Sequence, residues 1–93
     1  MSSVKVHNLN GTADCVPKDG ADSWLAWWKK KSGKIGLICA NTCCSEFAKL
    51  GGHVQKDGET TTNRWYIVPL CDACNKRTSS FSVPESDLVE VND

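Results

Sequence analysis

The chain has 93 residues, enough for one small domain with a thin core. Eleven basic and eleven acidic residues give zero formal net charge, which argues against a protein held to nucleic acid by bulk electrostatics. Six cysteines are dense for this length, and small domains commonly add a metal or disulfides to make up for a thin core.

Residues 1–21 read as largely irregular. Val4-Lys5-Val6 alternates like a short strand, and Asn8, Asn10, Gly11, Asp14, Pro17, Asp19 and Gly20 favour turns. No apolar run with a cleavage site opens the chain, and no stretch is long enough to cross a bilayer. A reducing, cytoplasmic setting is the expectation, and with it no membrane partner. A helix is expected from Asp22 or Ser23, either of which can cap it. Trp24, Trp27 and Trp28 recur at helical spacing, Lys29, Lys30 and Lys31 suit the negative helix end, and Gly33 can terminate it.

Lys34 to Ile38 leads extended into Cys39-Ala-Asn-Thr-Cys43-Cys44. Ser45 to Leu50 is expected as a short helix capped by Ser45 and ended by Gly51-Gly52. His53 to Lys56 and Arg64 to Val68 read as two strands of a β-hairpin around a polar, turn-rich connection. The second strand runs into Pro69-Leu70-Cys71-Asp72-Ala73-Cys74-Asn75. Residues 78–93 form a polar C-terminal segment in which Leu88 to Val91 suggests a last short strand.

The cysteines carry the chemistry. Two pairs far apart in the chain can close one tetrahedral site, because zinc takes four thiolate or imidazole ligands and short gaps in turns supply them in pairs. Cys39, Cys71 and Cys74 are three expected ligands. The fourth is Cys43 or Cys44. Adjacent cysteines point apart, and Cys44 is favoured because the N–H groups of a helix starting at Ser45 would stabilise its thiolate. Four thiolates leave no open position for water, so one such zinc is structural and not catalytic. A three-disulfide framework and a redox pair at Cys71 and Cys74 are the competing readings of the same residues.

Gly51-Gly52-His53-Val54, followed by a strand and Leu70-Cys71-Asp72-Ala73-Cys74-Asn75, resembles the back half of the HNH nucleases and treble-clef zinc proteins. The likeness covers residues 39–77. Nearly all of the chain also resembles a group of short zinc-binding proteins without an assigned activity. They share a His-x-x-Asn-Gly segment, here from His7, a Ser-Trp-Leu helix, here from Ser23, and a Trp-Tyr-Ile-Val-Pro-Leu-Cys run, here from Trp65. The first resemblance implies a structural zinc. The nuclease motif departs from its family, since His53-Val54 continues into Gln55-Lys56 where the family has Asp-His, and Tyr66 stands at the family's central asparagine. A metal-dependent nuclease needs ligands for its ion and a base for water, and this segment offers only His53.

His53 can ligate metal in place of a cysteine, transfer protons, or bond to backbone at its strand start; the structural role is the expectation. His7 with Cys15 would make an incomplete second metal site, and a free or buried Cys15 is expected instead. The tryptophan face is expected in the core against Trp65 or Tyr66 and Phe47, with Trp27 on its flank. Beside the lysine run, an exposed aromatic face would suit single-stranded nucleic acid or a protein partner. The reading is therefore a single α+β domain over residues 1–93, treble-clef- or zinc-ribbon-like, with a β-hairpin and a tryptophan-rich helix. It is a non-catalytic module for a protein partner, or for nucleic acid, with no small-molecule substrate. The alternative is a divergent HNH-type nuclease centred on His53.

Overall fold

The computed structural model describes residues 2–9, 20–35, 38–58 and 65–91. The turn signals from Asn10 to Asp19, Cys15 among them, and most of the hairpin connection before Trp65 lie outside the described residues.

The chain order is β1 (Ser3–Asn8), α1 (Trp24–Ser32), β2 (Leu50–Lys56), β3 (Tyr66–Leu70), α2 (Asp72–Asn75), β4 (Phe81–Pro84) and β5 (Val89–Glu90). A single 3-10 turn at Glu85–Asp87 links the last two strands. The strands form one sheet in the order β4-β1-β2-β3-β5, every neighbouring pair antiparallel. The expected hairpin is its centre, with Leu50 opposite Leu70 and His53 opposite Ile67. This is a small α+β architecture.

The helix α1 forms for the local reasons its sequence gives. The Ser23 Oγ accepts the Ala26 N–H at 3.1 Å, and Gly33, at φ +72°, donates its N–H to the Lys29 carbonyl at 3.0 Å. The three lysines fill the last turn and remain exposed. Trp24, Trp27 and Trp28 are all buried, with Ile67 and Val91. Burial of such side chains contributes on the order of 3 kcal/mol each. The Trp28 Nε1–H donates to the Asp87 carbonyl at 2.7 Å, which ties the C-terminal segment beneath the helix.

Alternation along β2 divides the molecule into two layers. Val54 belongs with Val6, Tyr66, Val68, Leu70, Phe81, Val83 and the cysteines on one face. His53 faces α1 on the other, between Trp24 and Trp65. The two glycines serve one face each. A Cβ on Gly51 would lie 2.7 Å from the Trp24 and Leu25 backbone, and one on Gly52 would lie 2.3 Å from the Leu70 side chain. The start of α1 can rest on β2 only because Gly51 has no side chain.

The structure departs from the sequence expectations at several places. Ser45 to Leu50 is not a helix: Ile38 and Phe47 form an isolated antiparallel bridge, and Leu50 begins β2. Gly51-Gly52 looks like a helix stop but is needed for close packing inside a strand. The tryptophans do not pack on Phe47, which is 63% exposed; of the two alternatives Trp65 and Tyr66, Trp65 is the partner, and Tyr66 faces the opposite layer. Trp27, expected on the flank of that face, is buried with the other two. The terminal segments also contribute more than irregular and polar chain. β1 extends to Asn8, and β4, absent from the sequence reading, pairs along β1 from Ser3↔Pro84 to Val6↔Phe81.

Candidate metal centre

The cysteine layer begins with two backbone turns. In the first, the Cys44 N–H donates to the Asn41 carbonyl at 2.9 Å while the Cys43 N–H donates to the Asn41 Oδ1 at 3.0 Å. An asparagine bonding its own backbone two residues on is a local turn former. In the second, the Cys74 N–H donates to the Cys71 Sγ at 3.4 Å as Cys71 caps the four-residue α2. The turns are joined by the Ala40 N–H to the Pro69 carbonyl at 2.7 Å, which hangs the first group on the end of β3.

These turns bring together Cys39, Cys44, Cys71 and Cys74, whose sulfurs all lie within 4.8 Å of one another. Cys39, Cys71 and Cys74 are buried and Cys44 is half-buried, whereas Cys43 is exposed and stands outside the group. The helix start that favoured Cys44 in the sequence is not there; the Asn41 turn aims it. A zinc–thiolate tetrahedron with bonds of about 2.3 Å has sulfur–sulfur edges of about 3.8 Å. The Cys44 and Cys71 sulfurs are 3.7 Å apart, and the set as a whole is close enough to hold a metal ion.

Burial and hydrogen bonding set the buried thiols apart in how readily they ionise. Burial pushes the Cys74 thiol up to about 12 and raises that of Cys39. At Cys71 burial also opposes ionisation, yet hydrogen bonds from the Cys74 N–H and from the Cys74, Cys44 and Cys39 thiols hold it below its ordinary value. Of Cys39, Cys71 and Cys74, it is therefore Cys71 that gives up its proton most readily. Ionising all four places like charges in van der Waals contact, which a divalent ion relieves.

Two asparagines complete the surroundings, and sequence reasoning missed both. The Asn41 Nδ2, in a side chain only 2% exposed, donates to the Cys74 Sγ at 3.3 Å. Asn8, read as a turn residue, ends β1 and donates from Nδ2 to the Cys74 and Arg77 carbonyls at 2.8 and 3.0 Å. A signal existed for Asn41, in its Asx-turn spacing before Cys43. None existed for Asn8, whose partners lie 66 and 69 positions away.

The histidines stand apart from the sulfurs. His53 is buried on the α1 face, stacked on Trp65 at 4.7 Å between ring centroids and edge-on to Trp24 at 4.9 Å. Burial lowers its pKa to about 4, and its Nε2 has no hydrogen-bond partner among the described residues. The His7 Nδ1 hydrogen-bonds to the Asp57 Oδ1 at 2.6 Å. Hydrogen bonds from Ser80 and His7 hold the Asp57 carboxyl below its ordinary range. Among the described residues the cysteine set is the one group of His, Cys, Asp and Glu side chains arranged to hold a metal ion.

The fold and this cluster define a small α+β protein with four cysteine sulfurs close enough together to hold a metal ion. Comparison with protein-family models, with curated proteins and with solved structures finds no match.

Proposed function

We infer that this is a zinc-structured, non-catalytic binding module that works in a reducing, cytoplasmic setting and acts on a protein partner. The observation that carries the reading is the four-sulfur cluster. An all-thiolate zinc site is closed, so the metal would organise the fold and leave no position for a substrate or for activated water. Cys39, Cys44, Cys71 and Cys74 would be its ligands. The two turns, one beside a hairpin strand and one opening α2, fit a treble-clef- or zinc-ribbon-like build, although α2 spans only Asp72–Asn75. Zero net charge favours a protein over a nucleic acid as partner. With the tryptophan face inside, the stacking platform that single-stranded nucleic acid would use is taken up by the core.

The nuclease alternative finds no support at His53. Its ring is enclosed by Trp24 and Trp65, and its Nε2 meets no carboxylate among the described residues. The experiment is metal analysis of the purified protein, followed by its incubation with plasmid DNA and magnesium or manganese. About one zinc per chain and intact plasmid are expected. Cleavage that disappears in His53→Ala would establish the nuclease instead, and a folded protein without metal would overturn the zinc reading.

A further inference from the structure

The large apolar side chains exposed among the described residues are Ile35, Ile38 and Phe47, all close in sequence to the first cysteine group. Ile38 and Phe47 face each other across an antiparallel bridge, so their side chains leave the ribbon on the same side. Phe47 also lines a groove of about 470 Å³ together with Glu46, Lys49, Cys71, Asp72 and Ala73. One wall of that groove comes from the ribbon next to the first cysteine group, the other from the second group and the start of α2.

Among the described residues, the backbone of Phe47 is also without a backbone partner. The Cys39 N–H bonds to the Glu46 carbonyl at 2.9 Å, which makes Ile38 and Phe47 a non-hydrogen-bonded pair. The N–H and C=O of Phe47 therefore point away from Ile38, and no backbone hydrogen bond of the described residues uses them. An extended peptide needs such an edge to add itself as a strand.

Charge narrows the occupant. The groove holds two carboxylates, Glu46 and Asp72, and one ammonium, Lys49. Lys49 lies 3.9 Å from the Asp72 carboxylate, which leaves Glu46 as the excess negative charge. An apolar side chain with a basic neighbour complements this lining, and an acidic one is repelled.

We propose that the groove docks an extended peptide segment of a partner protein, which pairs its backbone with Phe47, packs an apolar side chain on the Phe47 ring and turns a lysine or arginine toward Glu46. The proposal rests on the binding-module reading and gives it a site and a partner chemistry. The two walls meet beside the cysteine cluster, so metal and groove are linked.

The test uses the metal-loaded full chain, with metal content and circular dichroism recorded for every variant. The probe is a phage-displayed library of random short peptides. Enriched peptides are expected to carry an apolar residue beside lysine or arginine. A synthetic copy should bind Phe47→Asp at least about tenfold more weakly. Glu46→Lys should shift the preference toward peptides with an acidic residue in the basic one's place. Both positions are exposed, so both variants are expected to keep fold and metal, which the recorded metal content and dichroism check. Absence of enrichment on folded, metal-loaded protein would overturn the proposal, as would binding that survives both substitutions. A monomer–dimer equilibrium abolished by Phe47→Asp would make a second copy the occupant and also overturn it. A chain that holds no metal would take down the module reading together with the groove, and metal analysis tells that failure from the others.

Discussion

The Asn41 side-chain amide donates to the Cys74 sulfur across 3.3 Å, joining two turns 33 positions apart in sequence. The same side chain accepts the Cys43 N–H, so one buried residue shapes the first turn and positions a sulfur of the second. Asn41→Ala should lower stability by roughly 1–3 kcal/mol, since it leaves a backbone donor unsatisfied. It should also weaken metal binding by about 10–100-fold, as loss of a ligand's hydrogen-bond partner typically does. Asn41→Asp keeps the acceptor for Cys43 but sets a negative oxygen against the Cys74 sulfur, and should bind metal no better than the alanine variant. Competition with a coloured chelator reads both affinities.

The neighbouring cysteines should behave differently. Cys44→Ser removes a sulfur from the cluster and should lose metal, together with the near-ultraviolet dichroism of the folded state. Cys43→Ser alters an exposed side chain and should retain both. Metal loss from Cys43→Ser alone would assign the fourth position to Cys43.

Local chemistry made part of this legible in the sequence. The helix α1 announces itself by Ser23, by the tryptophan spacing and by Gly33, all within about three turns. The cysteine groups announce themselves by short gaps between sulfurs. What escaped depends on distant partners. Phe81-Ser82-Val83-Pro84 is too short a run to signal a strand, and β1, which it pairs with, lies more than 70 positions earlier. Gly51 and Gly52 resemble a helix stop until α1 and Leu70 are found pressing on them from opposite faces. The favoured place of Cys44 rested on a helix that is absent; the turn made by Asn41 brings its sulfur to the others. Phe47 reads as core in sequence because nothing local marks it as exposed.

Acid should loosen the α1 face through His53. Its pKa is about 4 when folded, against 6.5 for an ordinary histidine, because burial disfavours the charged ring. Between those values the unfolded chain binds a proton that the folded chain does not. The contribution is therefore fully present above about pH 6.5 and is lost as pH falls toward 4, by on the order of 2–3 kcal/mol. His53→Phe keeps an aromatic ring between Trp24 and Trp65 without the titration. Urea unfolding at several pH values should show a shallower acid decline for the variant; equal slopes would remove His53 as the cause.

The glycines of β2 should tolerate alanine unequally. At Gly51 the added methyl meets the backbone of Trp24 and Leu25, which moves only if α1 moves. At Gly52 it meets the Leu70 side chain, whose rotamer can adjust within a packed layer. Gly51→Ala is expected to cost about 2–4 kcal/mol and to change tryptophan fluorescence, with Gly52→Ala the milder of the two. The reverse order in thermal unfolding would contradict the close approach of α1 to β2.

The proposed metal ion, held by four of the six cysteines, would organise the fold. Its most direct test is zinc content by elemental analysis, paired with counting reactive thiols before and after a chelator. About one zinc per chain is expected, with the exposed Cys43 thiol reactive in the native protein and the thiols of Cys39, Cys44, Cys71 and Cys74 reactive only after chelation, together with loss of the folded dichroism. No metal and no free thiols would mean a disulfide framework and would contradict this reading.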